Sequence, residues 1–416
     1  MDEKISEYLK SQVNFEFQRF AHKQLPPKNF QPLPDIPADR YISNDFFVQE
    51  QTHIWSKTWL LAGHQDELPN IGSYLLWENT GIPILIVRGS DKIIRAFYNT
   101  CRHRGGPLVR DPCGTQNAFV CKYHCWAYDL DGQLKYIPDE HEFVSIDKSQ
   151  RGLIPIRCEL FGNWIFINQD PDAISLEEFL GVIVGELQDF EPDDLHFVHR
   201  YHIDMPVNWK IMIDAFQEVY HLKHIHPETV DKLLDHRGTA ISLFPNGHSR
   251  MMVPANTGAD HFVPVPPTEP LEEDTCHEVA RSGSLSYNIF PNIITPISPV
   301  TFPFLLFWPI ARDRTIFEVI YFTRGINTDK NCPEWQQRIT NFNMILGEDN
   351  ENLPWIQRSI ESGVLEGIPL SYQERRIYHF HEYVDKTVGV HNIPTSLRVI
   401  PRLKELEVDG KGQPIQ

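Results

Sequence analysis

The sequence predicts an α+β protein in two parts: a small all-β domain, then a larger domain in which an antiparallel sheet is flanked by helices. Three observations carry this. At 416 residues the chain exceeds one ordinary hydrophobic core. From about Tyr41 the texture turns to short runs such as SYLLWE, IPILIVRGSDKIIRAFYN and NWIFINQD, rich in β-branched and aromatic residues and punctuated by Gly, Asp and Asn. Beyond Pro171, segments of helical periodicity are joined by longer strand-like runs.

In chain order, residues 1–40 combine a short helical pattern with the Pro-rich stretch QLPPKNFQPLPDIPADR and are expected to form an arm packing on the larger domain. Residues 41–168 form the small domain, with Gly89-Ser90-Asp91 as a hairpin turn between two strand-like runs. Residues 169–416 form the larger domain. Within it LEEFLGVIVGELQDF and NWKIMIDAFQEVYHLKHI read as helices, the latter with Ile211, Ala215, Val219 and Leu222 on one stripe. The runs SYNIFPNIITPISPVTFPFLLFWPI and TIFEVIYFTRG read as strands, and helical patterns return over 333–386.

Composition excludes several classes of function. A net charge of −18 repels nucleic acid and anionic membrane surfaces. The longest apolar runs, such as IPILIV at Ile82 to Val87, have strand length and cannot span a bilayer. The N-terminal MDEKISEYLKSQ is charged and lacks the apolar core of a signal peptide, so a cytoplasmic protein is expected. Seven cysteines, an odd count over a long chain, do not resemble a disulfide framework. Cys158, Cys276 and Cys332 read as inert thiols.

The stretch CRHRGGPLVRDPCGTQNAFVCKYHCWAYD concentrates the remaining four cysteines. Cys101-x-His103 and Cys121-x-x-His124 are two tight mixed pairs on predicted loops. A structural zinc site takes such a ligand set, but zinc fingers usually separate a Cys pair from a His pair. A [2Fe–2S] cluster with two Cys on one iron and two His on the other suits mixed pairs, because each loop then offers one ligand to each iron. Cys113 and Cys125 are taken as bystanders.

A second constellation lies in NWKIMIDAFQEVYHLKHIHPE, with Asp214, Glu218, His221, His224 and His226. On one continuous helix Asp214, Glu218 and His221 share a face, which is costly to bury unless it binds something. The same spacing also fits the solvated face of an amphipathic helix. Helical geometry favours His221 with His224. Pro227 disfavours helical backbone at His226, so the helix should end there, and an unwound end brings His226 within reach. Periodicity leaves that choice open.

Both stretches resemble motifs of one family, the catalytic alpha subunits of Rieske non-haem iron oxygenases. CRHRG…CKYHCWAY is similar to the cluster motif C-x-H-R-G…C-x-Y-H-x-W, departing from it at Lys122 (usually Pro) and Cys125 (usually Gly). The resemblance implies that Cys101 and Cys121 bind the buried iron and His103 and His124 the exposed one. The later stretch is similar to N-W-K…N-F-x-(D/E)-x-Y-H-x4-H, which implies that His221 and His226 are ligands of a mononuclear Fe(II), with His224 unassigned. The family pattern E-D-x7-Q matches ILGEDNENLPWIQRS. It implies Asp349 as the third ligand, ahead of Glu348 and Glu351, completing a 2-His-1-carboxylate triad. Glu218 falls at the position of the carboxylate that bridges the two centres between subunits, and Asp214 is expected to support that network.

The resemblance further implies a homotrimer in which electrons cross between subunits, with or without a beta subunit. No Gly-x-Gly-x-x-Gly dinucleotide fingerprint is present, so a separate NAD(P)H-dependent reductase, with or without a ferredoxin, is expected to supply electrons. Arg102, Arg104 and Lys122 would form its docking patch. The expected reaction is hydroxylation of an aromatic or cyclic compound with O2, the alternative being monooxygenation of a quaternary amine or a methyl group. Met212, Phe216, Met251 and Met252 are cavity or core residues, and Arg250 a substrate-carboxylate partner or, more simply, a structural ion pair. A rival of another class is a Rieske electron carrier, which needs no His221, His226 and Asp349.

Overall fold

The computed structural model describes residues 3–257, 281–297, 302–324 and 327–415. Cys276 lies outside them. The chain divides into two compact units, Trp55–Phe179 and Met1–Ile54 together with Leu180–Gln416.

The N-terminal segment is more helical than expected. Helix α1 (Glu3–Ala21) buries Ile5, Leu9 and Val13, one turn apart, and packs against strands β13 (Ala240–Leu243) and β14 (Ser249–Pro254) of its own unit. The short strand β1 (Ile36–Pro37) and helix α2 (Asn44–Glu50) follow, with Ser43 capping α2 through Phe46 N–H. Phe46 and Glu50 of α2 are fully buried. Glu50 pairs with Lys210 at 2.6 Å and accepts from the Trp209 indole, which ties α2 to the larger unit and starts the smaller one at Trp55, later than Tyr41. Its end lies later than 168 because Trp59 Nε1 donates to Ile174 O and Leu176 N–H donates to Glu159.

The smaller unit is all-β. Strands β2 (Leu60–His64), β3 (Ser73–Trp77), β4 (Ile84–Arg88), β5 (Ile94–Tyr98), β6 (Cys113–Thr115), β10 (Pro155–Phe161) and β11 (Trp164–Asn168) form an antiparallel sheet in the order β2-β11-β10-β5-β4-β3-β6. The β4–β5 hairpin turns at Gly89, whose N–H donates to Ile93 O. Strands β7 (Phe119–Val120), β8 (Ala127–Tyr128) and β9 (Leu134–Tyr136) make a second small sheet.

In the larger unit, β12 (His196–Met205), β13, β14, β15 (Gly283–Ile289), β16 (Ile293–Ile297), β17 (Phe302–Ala311) and β18 (Arg314–Thr323) form an antiparallel sheet ordered β12-β18-β17-β16-β15-β14-β13. The segment LEEFLGVIVGELQDF is split at Gly181 (φ +50°) into α3 (Leu176–Leu180) and α4 (Val182–Gln188). Helix α5 (Trp209–Ala215) packs on β17, β18 and the long helix α7 (Pro333–Ile360). Helix α8 (Arg375–Val388) is buried along most of its length.

The expected continuous helix over 208–226 is interrupted. It is α5, an irregular stretch over 216–221, and α6 (Leu222–Ile225). The Glu218 carboxylate accepts the backbone N–H groups of Tyr220 and His221, offering the chain an alternative to the helical ladder. Asp214 and Glu218 therefore do not share one helix face.

Candidate metal centres

The two Cys-His loops of the smaller unit have matching backbones. Cys101 N–H donates to Gly106 O and Gly105 N–H to Cys101 O; Cys121 N–H donates to Trp126 O and Cys125 N–H to Cys121 O. The corresponding residues Gly105 and Cys125 both have left-handed backbone, φ +76° and +56°. This explains why glycine suits position 125; Cys125 itself is exposed, whereas Cys101 and Cys121 are buried. A Cβ on Gly106 would sit 3.1 Å from Cys121 Sγ, so glycine there lets the loops close on each other.

Cys101 and Cys121 are 2% exposed and belong to the core with Leu108, Phe119, Trp126 and Tyr128. The His103 and His124 rings are partly exposed, with centroids 4.5 Å apart, and His103 stacks on Trp126. Burial lowers the His103 pKa, and His124 and Arg104 lower it further, so the ring is a neutral donor. Its buried Nδ1 has no hydrogen-bond partner. Two adjoining thiols on the dry side, two imidazoles on the wet side and an orphaned ring nitrogen fit a cluster with Cys on one iron and His on the other. Sequence reasoning missed Tyr128. Its hydroxyl lies 3.3 Å from Cys101 Sγ and accepts Arg102 N–H at 2.9 Å, so towards a thiolate sulfur the phenol is the donor. The Tyr-His-x-Trp-x-Tyr spacing was the available signal.

In the larger unit His221, His226 and Asp349 bring one ligand atom each within 4.8 Å of one another. His226 Nε2 lies 3.0 Å and His221 Nε2 3.4 Å from the same oxygen, Asp349 Oδ1. Helix α6 ends at Ile225, and His226 takes non-helical backbone (φ −115°, ψ 41°) ahead of Pro227. His224 is exposed and outside the cluster. Glu348, the competitor of Asp349, sits behind the site: its carboxylate accepts from His226 Nδ1 at 2.6 Å and from Thr229 Oγ1 at 2.7 Å. Glu218 occupies the equivalent place behind His221, bonded to Nδ1. Glu351 is exposed. Both Nδ1 atoms thus face carboxylates and both Nε2 atoms face Asp349, the arrangement of metal-binding histidines with their orienting partners. Burial disfavours the charged form of both rings, but the hydrogen bond to Glu218 and the charges of Glu218 and Asp349 outweigh it and raise the His221 pKa, and bonding to Asp349 and Glu348 does the same for His226. Three converging ligands of this chemistry fit a divalent iron with open positions.

The register of Asp349 is set by Gln357, two turns on along α7, which accepts the N–H of the α5 cap residue Asn208 at 2.8 Å. Asp214, expected to support the Glu218 network, instead bonds to Tyr41 and His381. Met212, Met251 and Met252 are fully buried packing residues, whereas Phe216 is partly exposed beside Phe307 and Phe317. Arg250 pairs with buried Glu186, which excludes the substrate-carboxylate role. Among the described residues no helix is long and apolar enough to cross a membrane.

Residues 58–151 match the family model described as Rieske [2Fe-2S] domain, and residues 192–389 that of the ring hydroxylating alpha subunit (catalytic domain). The chain is 35% identical over 213 residues to the carnitine monooxygenase oxygenase subunit of Escherichia coli (strain K12), covering 50% of this chain and 57% of that protein. It is 31% identical over 200 residues to the glycine betaine monooxygenase oxygenase subunit of Pseudomonas aeruginosa (strain UCBPP-PA14), covering 48% and 46%. The matched segments thus span about half the length of these curated relatives. In fold the chain is similar to the quaternary ammonium Rieske monooxygenase CntA in complex with L-carnitine (TM-score 0.72, 22% identity, 88% of this chain and 99% of that one). It is also similar to naphthalene 1,2-dioxygenase from Rhodococcus sp. bound to indole (TM-score 0.69, 21% identity, 92% and 99%). Both domain matches, in the order of the two sites, place this chain in the Rieske non-haem iron oxygenases, among the catalytic alpha subunits whose two domains hold a [2Fe–2S] cluster and a mononuclear iron.

Proposed function

We propose that this chain is the terminal oxygenase of a multicomponent system that takes electrons from a separate NAD(P)H-dependent reductase and uses O2 to oxidise a small organic substrate. The convergence of His221, His226 and Asp349 in a chain that also carries the Cys-His loops supports this reading over an electron carrier, which needs the loops alone. When bound, the cluster would supply electrons one at a time, and the mononuclear iron would supply open positions for O2 next to substrate.

Cys101, Cys121, His103 and His124 would hold the cluster, and His221, His226 and Asp349 the iron. Glu348 keeps the His226 proton on Nδ1, leaving Nε2 free to coordinate, and Glu218 does the same for His221. Glu218 would also accept a hydrogen bond from the cluster-bearing histidine of a neighbouring copy, the short route that a homotrimer provides. Arg102, Arg104 and Lys122 would offer a locally basic face to the reductase on an otherwise acidic protein.

For the substrate we infer a quaternary ammonium compound. The similarity to oxygenase subunits named for carnitine and glycine betaine supports it. The second reading, an aromatic ring, has its support in the Phe216, Phe307 and Phe317 cluster beside α5 and in the similarity to a 2-aminobenzenesulfonate 2,3-dioxygenase alpha subunit of Alcaligenes sp. (29% identity).

The test is anaerobic purification followed by reduction with a surrogate reductase. A red-brown protein with acid-labile sulfide and about three irons per chain, falling to two in His221→Ala, is expected. O2 uptake should be stimulated by carnitine or glycine betaine more than by aminobenzenesulfonate or naphthalene. A coloured, reducible protein that consumes no O2 with any of these would favour the electron carrier.

A further inference from the structure

Asp214 is a sequence-selected acidic residue, not exposed at the surface, that the metal centre leaves without a task. Its Oδ2 accepts from the Tyr41 hydroxyl at 2.7 Å and lies 3.1 Å from His381 Nε2, and Tyr41 and His381 are themselves 3.1 Å apart. Tyr41 is 1% exposed and His381 wholly buried. Burial holds the His381 pKa down, against the pull of Asp214, so the ring is neutral and Nε2–H is the donor. The cations of the region are committed elsewhere: Lys210 to Glu50 and Arg40 to Asp385, each at 2.6 Å. Asp214 is thus a carboxylate held by two neutral, directional donors.

That arrangement stands at a mechanically sensitive place. Helix α5 is only seven residues long, and beyond Phe216 the backbone to His221 leaves the helical ladder. The start of α5 is fixed to α7 through Asn208 and Gln357. Its last turn is fixed by Asp214, four residues before Glu218. Hydrogen bonds to a charged acceptor are stronger and more directional than neutral ones, so this clamp can define where the irregular stretch begins.

We propose that Tyr41, Asp214 and His381 are positioning residues that clamp the end of α5 and so place the Glu218 carboxylate against His221. This deepens the oxygenase reading and rests on it for its functional consequence. The clamp itself is a property of the chain and is tested separately.

The experiment compares the full-length wild type with Tyr41→Phe and Asp214→Asn, which remove a hydroxyl or a charge with little change of shape. Hydrogen exchange of amides 216–221 is read first, on metal-depleted and metal-loaded protein. Both variants should exchange there about tenfold faster, with α7 protection and the cluster spectrum unchanged. In the loaded proteins the EPR signal of the ferrous-nitrosyl adduct at the mononuclear site should change shape. Turnover should fall about tenfold with KM within about twofold, and the double variant should be no worse than the worse single one, because both substitutions act on the same hydrogen bond. Iron loss confined to the mononuclear site would also support the clamp. Wild-type exchange over 216–221 in both variants would overturn it, as would multiplicative losses in the double variant. A wild type that shows no substrate-stimulated O2 uptake tells against the oxygenase reading, while the exchange comparison on the same samples still decides the clamp.

Discussion

The role given to Glu348 is open to a quantitative test. Its Oε2 accepts from His226 Nδ1 and Thr229 Oγ1, while His226 Nε2 faces Asp349. Glu348→Gln keeps an acceptor oxygen of similar reach but removes the charge. A hydrogen bond to a charged group contributes about 1.5–3 kcal/mol and a neutral one about 0.5–1.5, so the substitution should cost about 1–1.5 kcal/mol of the orientation of His226. That difference corresponds to roughly five- to tenfold in iron affinity. Glu348→Ala, which frees the ring to rotate and leaves its N–H without a partner, should cost up to about 100-fold. Asp349→Asn, altering a proposed iron ligand itself, should exceed both. The assay is competition between protein and a chelator for Fe(II), anaerobically at fixed pH, with cluster content measured on the same samples. The reasoning fails if Glu348→Ala binds iron within about twofold of wild type. It fails equally if Glu348→Gln and Asp349→Asn are indistinguishable, because Glu348 would then be acting as a ligand.

Three further outcomes follow from groups outside that triad. Cys125→Gly relieves a left-handed backbone position at φ +56° and should raise stability by about 1 kcal/mol in urea unfolding, without altering the cluster spectrum. Tyr128→Phe removes a hydrogen bond to the Cys101 sulfur and should lower the cluster's reduction potential by roughly 50 mV, the equivalent of about 1 kcal/mol for one electron; an unchanged or raised potential in a spectroelectrochemical titration would exclude the bond. Glu382, which accepts the N–H groups of Arg402 and Leu403, has its pKa pushed up to about 7 from 4.5, by burial first. A folded pKa above the unfolded one means stability that is complete below about pH 4.5 and lost as pH rises through 7, at most about 3 kcal/mol for a difference of about 2.5 units. Glu382→Gln, neutral throughout, should therefore be more stable than wild type at pH 8.5 but not at pH 5.

The parts of this protein legible in its sequence are those fixed by local chemistry. The strands of the smaller unit and the loops that present Cys101, His103, Cys121 and His124 follow from short apolar runs broken by turn residues, and the chain places them so. The contributions of Glu348, Tyr41 and His381 were not legible, because each acts on a residue that the fold brings from a distant segment. Tyr41 and His381 reach Asp214 across 173 and 167 positions respectively. The unit boundaries shifted for the same reason: α2 looks like the start of the small domain until Glu50 is seen to be spent on Lys210.

The interrupted helix is where local propensity and site chemistry conflict, and the site prevails. On an unbroken helix His221 and His226, five residues apart, would point about 140° away from each other and could not share a metal. His221 and His224 would face the same way, which is why periodicity favours that pair. The chain escapes this geometry at two points. Glu218 takes the N–H groups of Tyr220 and His221 out of the ladder, and Pro227 drives His226 out of helical backbone. The first departure puts the Glu218 carboxylate on His221 Nδ1, and the second turns His226 Nε2 onto the Asp349 oxygen that His221 Nε2 also faces. The residue that breaks the helix is therefore also the one bonded to a proposed ligand, His221. Its effect on the fold and its effect on the metal centre cannot be separated by deleting it, which is why the clamp on Asp214, one step removed from the ligands, gives the cleaner experimental handle.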